Sequence, residues 1–275
     1  MEELTQMRLA WDDLIKQVNA SRNKQPEPGS PQPWIVNGQE VYKCAKCKDT
    51  GWRDEHEKVA IDQNGKPVAF YRFATRCECV KLAITKQKLE KSGIDEKMNF
   101  ANFDTRGLEV LEKAKEEAIK YADAFELIEH DRKNSIIFCG QVGAGKTHLG
   151  TAISRYLIDK YGYNVMYFPY RAGVTELKQL VTDDTEYRRE LKKYAHAPVL
   201  FIDDMCKGKT TESDINIMYE ILNYRYLKKL PCIISTEKTL PQIIAWDEAI
   251  GSRISEMCGD NVVTFTGREL NYRMH

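Results

Sequence analysis

Charge of one sign is what this chain most plainly lacks. Its 275 residues hold 41 Lys+Arg against 41 Asp+Glu, a formal net charge of zero at neutral pH. That balance excludes a histone-like or polybasic protein held to nucleic acid by bulk electrostatics, while leaving room for a local basic groove. Long apolar runs are missing as well. No window approaches about 18 consecutive apolar residues, so no transmembrane helix is predicted. The opening Met1-Glu2-Glu3-Leu4-Thr5-Gln6 has neither the basic n-region nor the apolar h-region of a signal peptide. A cytoplasmic location is therefore expected. There is no internal repeat at solenoid or propeller periods, and low complexity is confined to one proline-rich stretch. What is present, 42% hydrophobic and 30% charged residues, is enough to bury one large core or two modest ones.

The eight cysteines are informative for the same reason. A reducing compartment argues against a disulfide framework. Cys44-Ala45-Lys46-Cys47 forms C-x2-C, and after 29 intervening residues Cys77-Glu78-Cys79 forms C-x-C. Each pair offers two thiolates from a tight turn, and two such turns supply the tetrahedral four-sulfur shell that suits Zn2+. An iron–sulfur centre or a labile dithiol pair are the alternatives, and His56 could replace one cysteine. Residues 34–80 are too few and too polar to fold well without such a staple, so the predicted metal is structural. Lys43, Lys46, Lys48, Arg76 and Lys81 flank the ligands and would offset the charge of four thiolates. Cys139, Cys206, Cys232 and Cys258 read as small buried hydrophobes.

Along the chain, Leu4, Met7, Trp11, Leu14, Ile15 and Val18 fall at helical spacing within residues 3–20. Pro26, Pro28, Gly29, Pro31 and Pro33 then make a stiff, extended linker. The apolar stripe beyond it must fold back on the next module or dock on a partner. A turn is expected at Asn64-Gly65, and a connecting helix over 80–92 carries Leu82, Ile84 and Leu89. From about residue 98 apolar strands alternate with helices: strand 135–139, helix 146–160, strand 164–168, helix 172–194, strand 198–202, helix 213–229, strand 231–235, helices near 240–257 and strand 261–265. That alternation predicts an α/β fold on a parallel sheet. The expected organisation is 1–33 amphipathic helix and linker, 34–80 zinc-binding module, 81–104 connecting segment, and 105–275 the α/β domain.

Residues 140–147 read Gly140-Gln141-Val142-Gly143-Ala144-Gly145-Lys146-Thr147, a match to G-x-x-x-x-G-K-[ST] with an apolar strand before it and a helix after. The glycines let backbone N–H groups turn toward one point and wrap a phosphate, and the helix N-terminus adds a positive dipole end. Lys146 would stand by the β- and γ-phosphates of ATP, and the Thr147 hydroxyl is a natural Mg2+ ligand. Val199-Leu200-Phe201-Ile202-Asp203-Asp204, whose Asp203 lies 57 residues beyond Lys146, reads as a buried strand delivering two carboxylates at its end. Asp203 would hold Mg2+, and Asp204 would orient or deprotonate the attacking water. Pro231-Cys232-Ile233-Ile234-Ser235-Thr236-Glu237 reads as a further buried strand; in a sheet where it lies between those two, its tip, Thr236 or Glu237, could sense the γ-phosphate. Arg253, in Gly251-Ser252-Arg253-Ile254, could reach the ATP of a neighbouring subunit as an arginine finger, or could make a surface salt bridge on its own helix.

Together these residues resemble the AAA+ ATPases, and within them the bacterial replicative helicase loaders of the DnaC/DnaI type with the related IstB-like transposition ATPases. Met98-Asn99-Phe100-Ala101-Asn102-Phe103-Asp104 looks like the segment preceding that ATPase core. Gly143-Ala144-Gly145-Lys146-Thr147-His148-Leu149 looks like its Walker A, with His148 included. Asp203-Asp204-Met205 looks like its Walker B with Asp204 where many members carry Glu, and the Gly-Ser-Arg box looks like the one bearing the finger. The resemblance implies an AAA+ P-loop core with a five-stranded parallel sheet, and an ATPase dependent on ATP and Mg2+. It implies two partners, a replicative helicase hexamer and single-stranded DNA, with ATP-dependent self-association. Residues 1–80 are the expected helicase-binding part. Lys207 and Lys209 after Walker B, and Tyr170-Arg171 after the second strand, are the expected DNA contacts. Thr236 is the favoured sensor. Only residues 266–275 follow the last strand, too few for a full lid domain, and the segment around Phe100 and Phe103 is expected to help cover the adenine. A transposition helper ATPase and a non-hydrolysing, ATP-switched adaptor are the alternative functions.

Overall fold

The computed structural model describes residues 34–36, 39–61, 67–95 and 97–274. The candidate N-terminal helix, the proline-rich linker and the Asn64-Gly65 turn lie outside them. The chain divides into two units, residues 1–83 and 84–275, and the boundary falls inside a helix.

In the first unit, β1 (Trp34–Val36) pairs antiparallel with β2 (Gln39–Val41), and β3 (Trp52–Ile61) with β4 (Pro67–Arg76). Each pair opens onto one cysteine turn. The turn after β2 is closed by Lys48 N–H on the Cys44 carbonyl (2.9 Å) and Thr50 N–H on the Cys47 carbonyl (3.0 Å). Lys48 and Asp49 take left-handed φ of 49° and 62° there, and the Asp49 carboxylate accepts from the Lys43 and Cys44 amides. The second turn leads from β4 into α1 (Glu78–Ser92), with Val80 N–H on the Cys77 carbonyl (3.0 Å). Cys77 N–H donates to the Gly51 carbonyl (2.9 Å), which ties the two turns together. On α1, Leu89 is buried, whereas Leu82 and Ile84 are exposed.

In the second unit a five-stranded, wholly parallel sheet runs in the order β6-β7-β8-β5-β9. The strands are β5 (Ile136–Gly140), β6 (Val165–Pro169), β7 (Val199–Met205), β8 (Cys232–Thr236) and β9 (Val262–Phe265). β8 lies between β5 and β7, the placement under which its tip stands beside theirs. Two-residue alternation sorts the apolar strands between two cores. Ile136, Phe138, Phe201 and Phe265 pack with α2 (Glu109–Ile128) and α3 (Lys146–Tyr156). Ile137, Cys139, Leu200, Ile202 and Ile234 face α4 (Tyr170–Gln179), α6 (Glu212–Lys228) and α8 (Glu248–Cys258) on the other side. Phosphate and metal ligands therefore collect where β5, β7 and β8 end together.

Three elements differ from the sequence expectation. Helix α2 precedes the first predicted strand and buries Leu111, Ala114, Ala118, Tyr121, Ala122 and Phe125, a helical spacing set largely by alanines. The single helix expected over 172–194 is two helices, α4 and α5 (Asp184–Ala195). Asp183 caps α5 by accepting from Thr185 and Glu186 amides, and this local capping outweighs the continuous apolar pattern. The helix expected to run to 160 changes to a π-helical turn at Leu157–Tyr161 and stops at Gly162, whose φ is 73°. At the opposite end of the sheet, the fully buried Arg225 donates to the carbonyls of Tyr194, Ala195, Ala197 and Pro231. It thereby fastens the end of α5 and the start of β8 to α6. The four buried cysteines expected as core residues, Cys139, Cys206, Cys232 and Cys258, are buried.

Among the described residues, no helix is long and apolar enough to cross a membrane.

Candidate nucleotide site and thiol cluster

The loop between β5 and α3 turns through three left-handed glycines, Gly140 (φ 102°), Gly143 (φ 73°) and Gly145 (φ 86°). A side chain at Gly145 would meet the Phe103 ring at 2.6 Å and one at Gly143 the Asn271 amide at 2.1 Å, so both positions are closed to anything larger. The loop borders a cavity of about 440 Å3 whose lining includes Val142, Ala144, Lys146, Thr147 and His148. Lys146 is 6% exposed, and its ammonium donates to the Gly140 and Gln141 carbonyls at 2.8 and 2.6 Å. Burial pushes its pKa down from the usual lysine value, because the charged form loses hydration.

Asp203, also 6% exposed, is caged by hydroxyls. Its Oδ1 accepts from Thr147 (2.8 Å) and Ser235 (2.5 Å), and its Oδ2 from Tyr167 (2.9 Å). The Thr147 hydroxyl and the Asp203 carboxylate thus stand side by side at the loop, a pure oxygen donor pair of the kind Mg2+ prefers. The phenol of Tyr167 is held above its ordinary pKa by burial and by the Asp203 charge.

After Asp203 the strand bulges. Pairing with β8 shifts register between Ile202 and Met205, and Asp204 and Cys206 take left-handed φ of 55° and 63°. The Ser235 hydroxyl accepts from the Asp204 amide at 2.8 Å, so one buried hydroxyl holds the Asp203 carboxylate and the Asp204 backbone. The Asp204 carboxylate turns into the cavity and meets Lys207 Nζ at 2.7 Å, and Glu237 reaches the same ammonium at 3.4 Å. The pairing with Asp204, foremost, raises the Lys207 pKa above the usual lysine value.

The remaining expectations divide. His148 Nε2 lies 2.9 Å from the Asn99 carbonyl and 3.1 Å from Asn102 Oδ1. Both are carbonyl oxygens, so this nitrogen carries the hydrogen, and the histidine ties the 98–104 segment to the phosphate loop. Phe103 packs edge-on to His148 and lines the cavity, whereas Phe100 packs against Tyr156 outside it. Thr236 does not face the cavity. It is fully buried and its hydroxyl donates to the Met205 carbonyl at 2.7 Å, because β-strand alternation turns it away and presents Glu237 instead. Lys207 points into the nucleotide cavity rather than outward, being drawn to two carboxylates. Tyr170, 3% exposed, is not available for base stacking. Lys209 and Arg171 are exposed, and the Arg171 guanidinium lies beside Gly208. Arg253 is held by its own unit: it donates to Asn223 Oδ1 (3.1 Å) and the Ala249 carbonyl (2.7 Å), between the Tyr219 and Tyr226 rings.

The sequence reading misses Ser235 and Tyr167, for which alternation at strand ends was the available signal, and it misses the chain's last turns. Tyr272 N–H donates to the Gly143 carbonyl (3.0 Å), and Arg106 donates to the carbonyls of Glu269 and Leu270. Tyr272 and Arg273 thereby line the cavity. No sequence signal announces this contact, which joins residues far apart in the chain.

In the first unit Cys44, Cys47, Cys77 and Cys79 bring their Sγ atoms within 4.8 Å of one another. The pairs Cys44–Cys77 and Cys47–Cys79 stand 3.7 and 3.5 Å apart, too far for disulfides. Those separations approach the roughly 3.8 Å edge of a sulfur tetrahedron with Zn–S bonds of about 2.3 Å. Amide donors of Cys47 and Lys46 bring the Cys44 thiol down to about 7, while its thiol neighbours push Cys79 up to about 12. Four sulfurs this close together could hold a metal ion, and the donor set suits zinc. The side chain of His56, on β3, lies outside the described residues.

The profile described as IstB-like ATP binding protein matches residues 81–256. Two proteins of Bacillus subtilis (strain 168) are similar over most of the chain. YqaM is 36% identical over 242 residues, 84% of this chain and 71% of that protein. The phage-like element PBSX protein XkdC is 37% identical over 244 residues, 85% and 86% respectively. Residues 81–275 alone could not supply such coverage, so both similarities run into the cysteine unit. Among solved structures, the DnaC helicase loader aligns with a TM-score of 0.53 at 23% identity, over 62% of this chain and 98% of that one, a likeness of fold.

Proposed function

The chain belongs to the IstB-like ATP-binding protein family, a group of AAA+ ATPases, and on that premise we propose that it is an ATP-dependent helicase loader. In this reading it binds a replicative helicase hexamer and single-stranded DNA, and hydrolyses ATP during replication initiation. The observation that carries the ATPase part is the convergence of a complete phosphate loop with the two Walker B acids, the Asp203 carboxylate and the Asp204 backbone amide both being held by the buried Ser235 hydroxyl. Lys146 and the loop amides would bind the β- and γ-phosphates, and Phe103 would help wall the nucleotide. Thr147 and Asp203 would hold Mg2+, which supplies charge neutralisation on those phosphates. Asp204 would orient the attacking water, and Arg253 would act on a neighbour's nucleotide in an ATP-dependent oligomer. Arg253 would first have to leave Asn223 and its two tyrosines, which makes hydrolysis depend on assembly.

The loader is favoured over other members of the family by the thiol unit. It lies upstream of the IstB-like match, yet the alignments with YqaM and XkdC extend into it. We assign helicase docking to residues 1–80, with zinc holding the described part of that segment, and DNA contact to Lys209 and Arg171. The family's IstB name favours a second reading, a transposition helper that engages a transposase.

Steady-state ATPase assays of wild type and Asp204→Asn, with and without helicase and single-stranded DNA, test the enzymatic part. Wild-type turnover should fall at least about a hundredfold in Asp204→Asn, the scale expected for a general base. Absence of hydrolysis by wild type with both partners present would make the protein a non-hydrolysing switch.

A further inference from the structure

Lys207 is the feature of the cavity that the proposed function leaves without a task. It sits on a short loop anchored at both ends. On one side is the left-handed bulge at Asp204 and Cys206. On the other is the α6 cap, where the Thr211 amide donates to Asp214 (2.7 Å) and Lys178 donates to the Thr211 hydroxyl (2.8 Å). Between these anchors Gly208 also takes a left-handed φ of 82°. The chain therefore reverses there and sends Lys207 back over the sheet edge, where it bridges Asp204 on β7 to Glu237 just beyond β8. Among the described cavity-lining residues it is the one cation ion-paired to acids. Lys146 and Arg106 are directed at backbone carbonyls.

Two consequences follow from charge and geometry. A lysine ammonium on Asp204 Oδ2 competes with water for the carboxylate oxygen that would otherwise accept a hydrogen bond from it. A nucleotide triphosphate placed on the loop adds several negative charges beside two carboxylates, and a partly exposed ammonium on a flexible stem is the group able to redistribute toward it. A diphosphate, ending short of that point, offers less reason to move. We propose that Lys207 is a triphosphate-reading latch: it masks Asp204 through the Asp204–Lys207–Glu237 bridge and transfers to the terminal phosphate when ATP binds, unmasking the carboxylate. This rests on the nucleotide-site reading above and adds ATP-over-ADP discrimination to it.

Equilibrium binding of fluorescent ATP and ADP analogues to the full chain tests the proposal without depending on turnover. Wild type should bind the triphosphate more tightly. Lys207→Gln should lose about tenfold in triphosphate affinity with diphosphate affinity within about twofold, the loss expected for one charge-assisted contact. Lys207→Arg should recover most of the preference. Glu237→Gln, which loosens the resting bridge, should raise triphosphate affinity. Equal losses for both nucleotides in Lys207→Gln, or no loss for either, would overturn the latch. Lys146→Ala separates the two claims. If wild type binds neither nucleotide, or if Lys146→Ala binds both as well as wild type does, the nucleotide-site reading itself fails.

Discussion

Ser235 carries more of the site than its neighbour Thr236, although sequence reading favours the threonine. Both are buried at the end of β8, but alternation sends Ser235 to Asp203 and the Asp204 amide, and Thr236 to the Met205 carbonyl. Ser235→Ala should therefore leave Asp203 and the Asp204 backbone short of a partner and lower kcat by about tenfold to a hundredfold. Thr236→Val should alter stability by about 1 kcal/mol with little change in kcat. Parallel denaturation and ATPase measurements on the two variants decide it, and equal kinetic defects would argue for a sensor role at Thr236 after all. The phosphate loop and the two acids were legible because their chemistry is written in a contiguous motif. The strand-end side chains were legible only in part: alternation puts Ser235 and Thr236 on opposite faces, but which of the two meets the acids depends on the β7 bulge between Ile202 and Met205, which no local pattern specifies.

At the scale of elements, capping and punctuation explain most departures from the sequence expectation. Asp183 splits one predicted helix into two, and Gly162 ends another. The alanine-rich α2 shows too little apolar contrast to stand out, yet its small side chains are what let it lie close against the sheet face. The closing contact of Tyr272 on Gly143 was illegible for a different reason, since it is a backbone hydrogen bond made by a terminal turn. The cysteine spacing, by contrast, led directly to the four-thiol cluster. That cluster belongs to the first unit and the nucleotide site to the second, which gives a separable expectation. The purified full chain should hold about one equivalent of zinc, and Cys77→Ser should lose it together with proteolytic resistance of residues 34–83. ATP-analogue affinity should stay within about twofold. Less than half an equivalent of metal in wild type, by elemental analysis, would count against the four-sulfur site.

Across the whole molecule, zero net charge conceals a division of labour. Cations and acids are concentrated where β5, β7 and β8 end, and Lys207 bridges the acids instead of facing outward. Exposed Lys209 and Arg171 are left as the proposed DNA contacts. The family match covers residues 81–256, so the nucleotide chemistry is shared with many relatives, and the distinguishing question is what the N-terminal part recruits. The most direct test is native mass measurement of the full-length chain mixed with a replicative helicase hexamer, with ATP and with ADP. A helicase loader predicts a discrete complex that forms with ATP and is weakened with ADP or by Cys77→Ser. No complex with the helicase under either nucleotide, alongside a stable complex with a transposase, would contradict it.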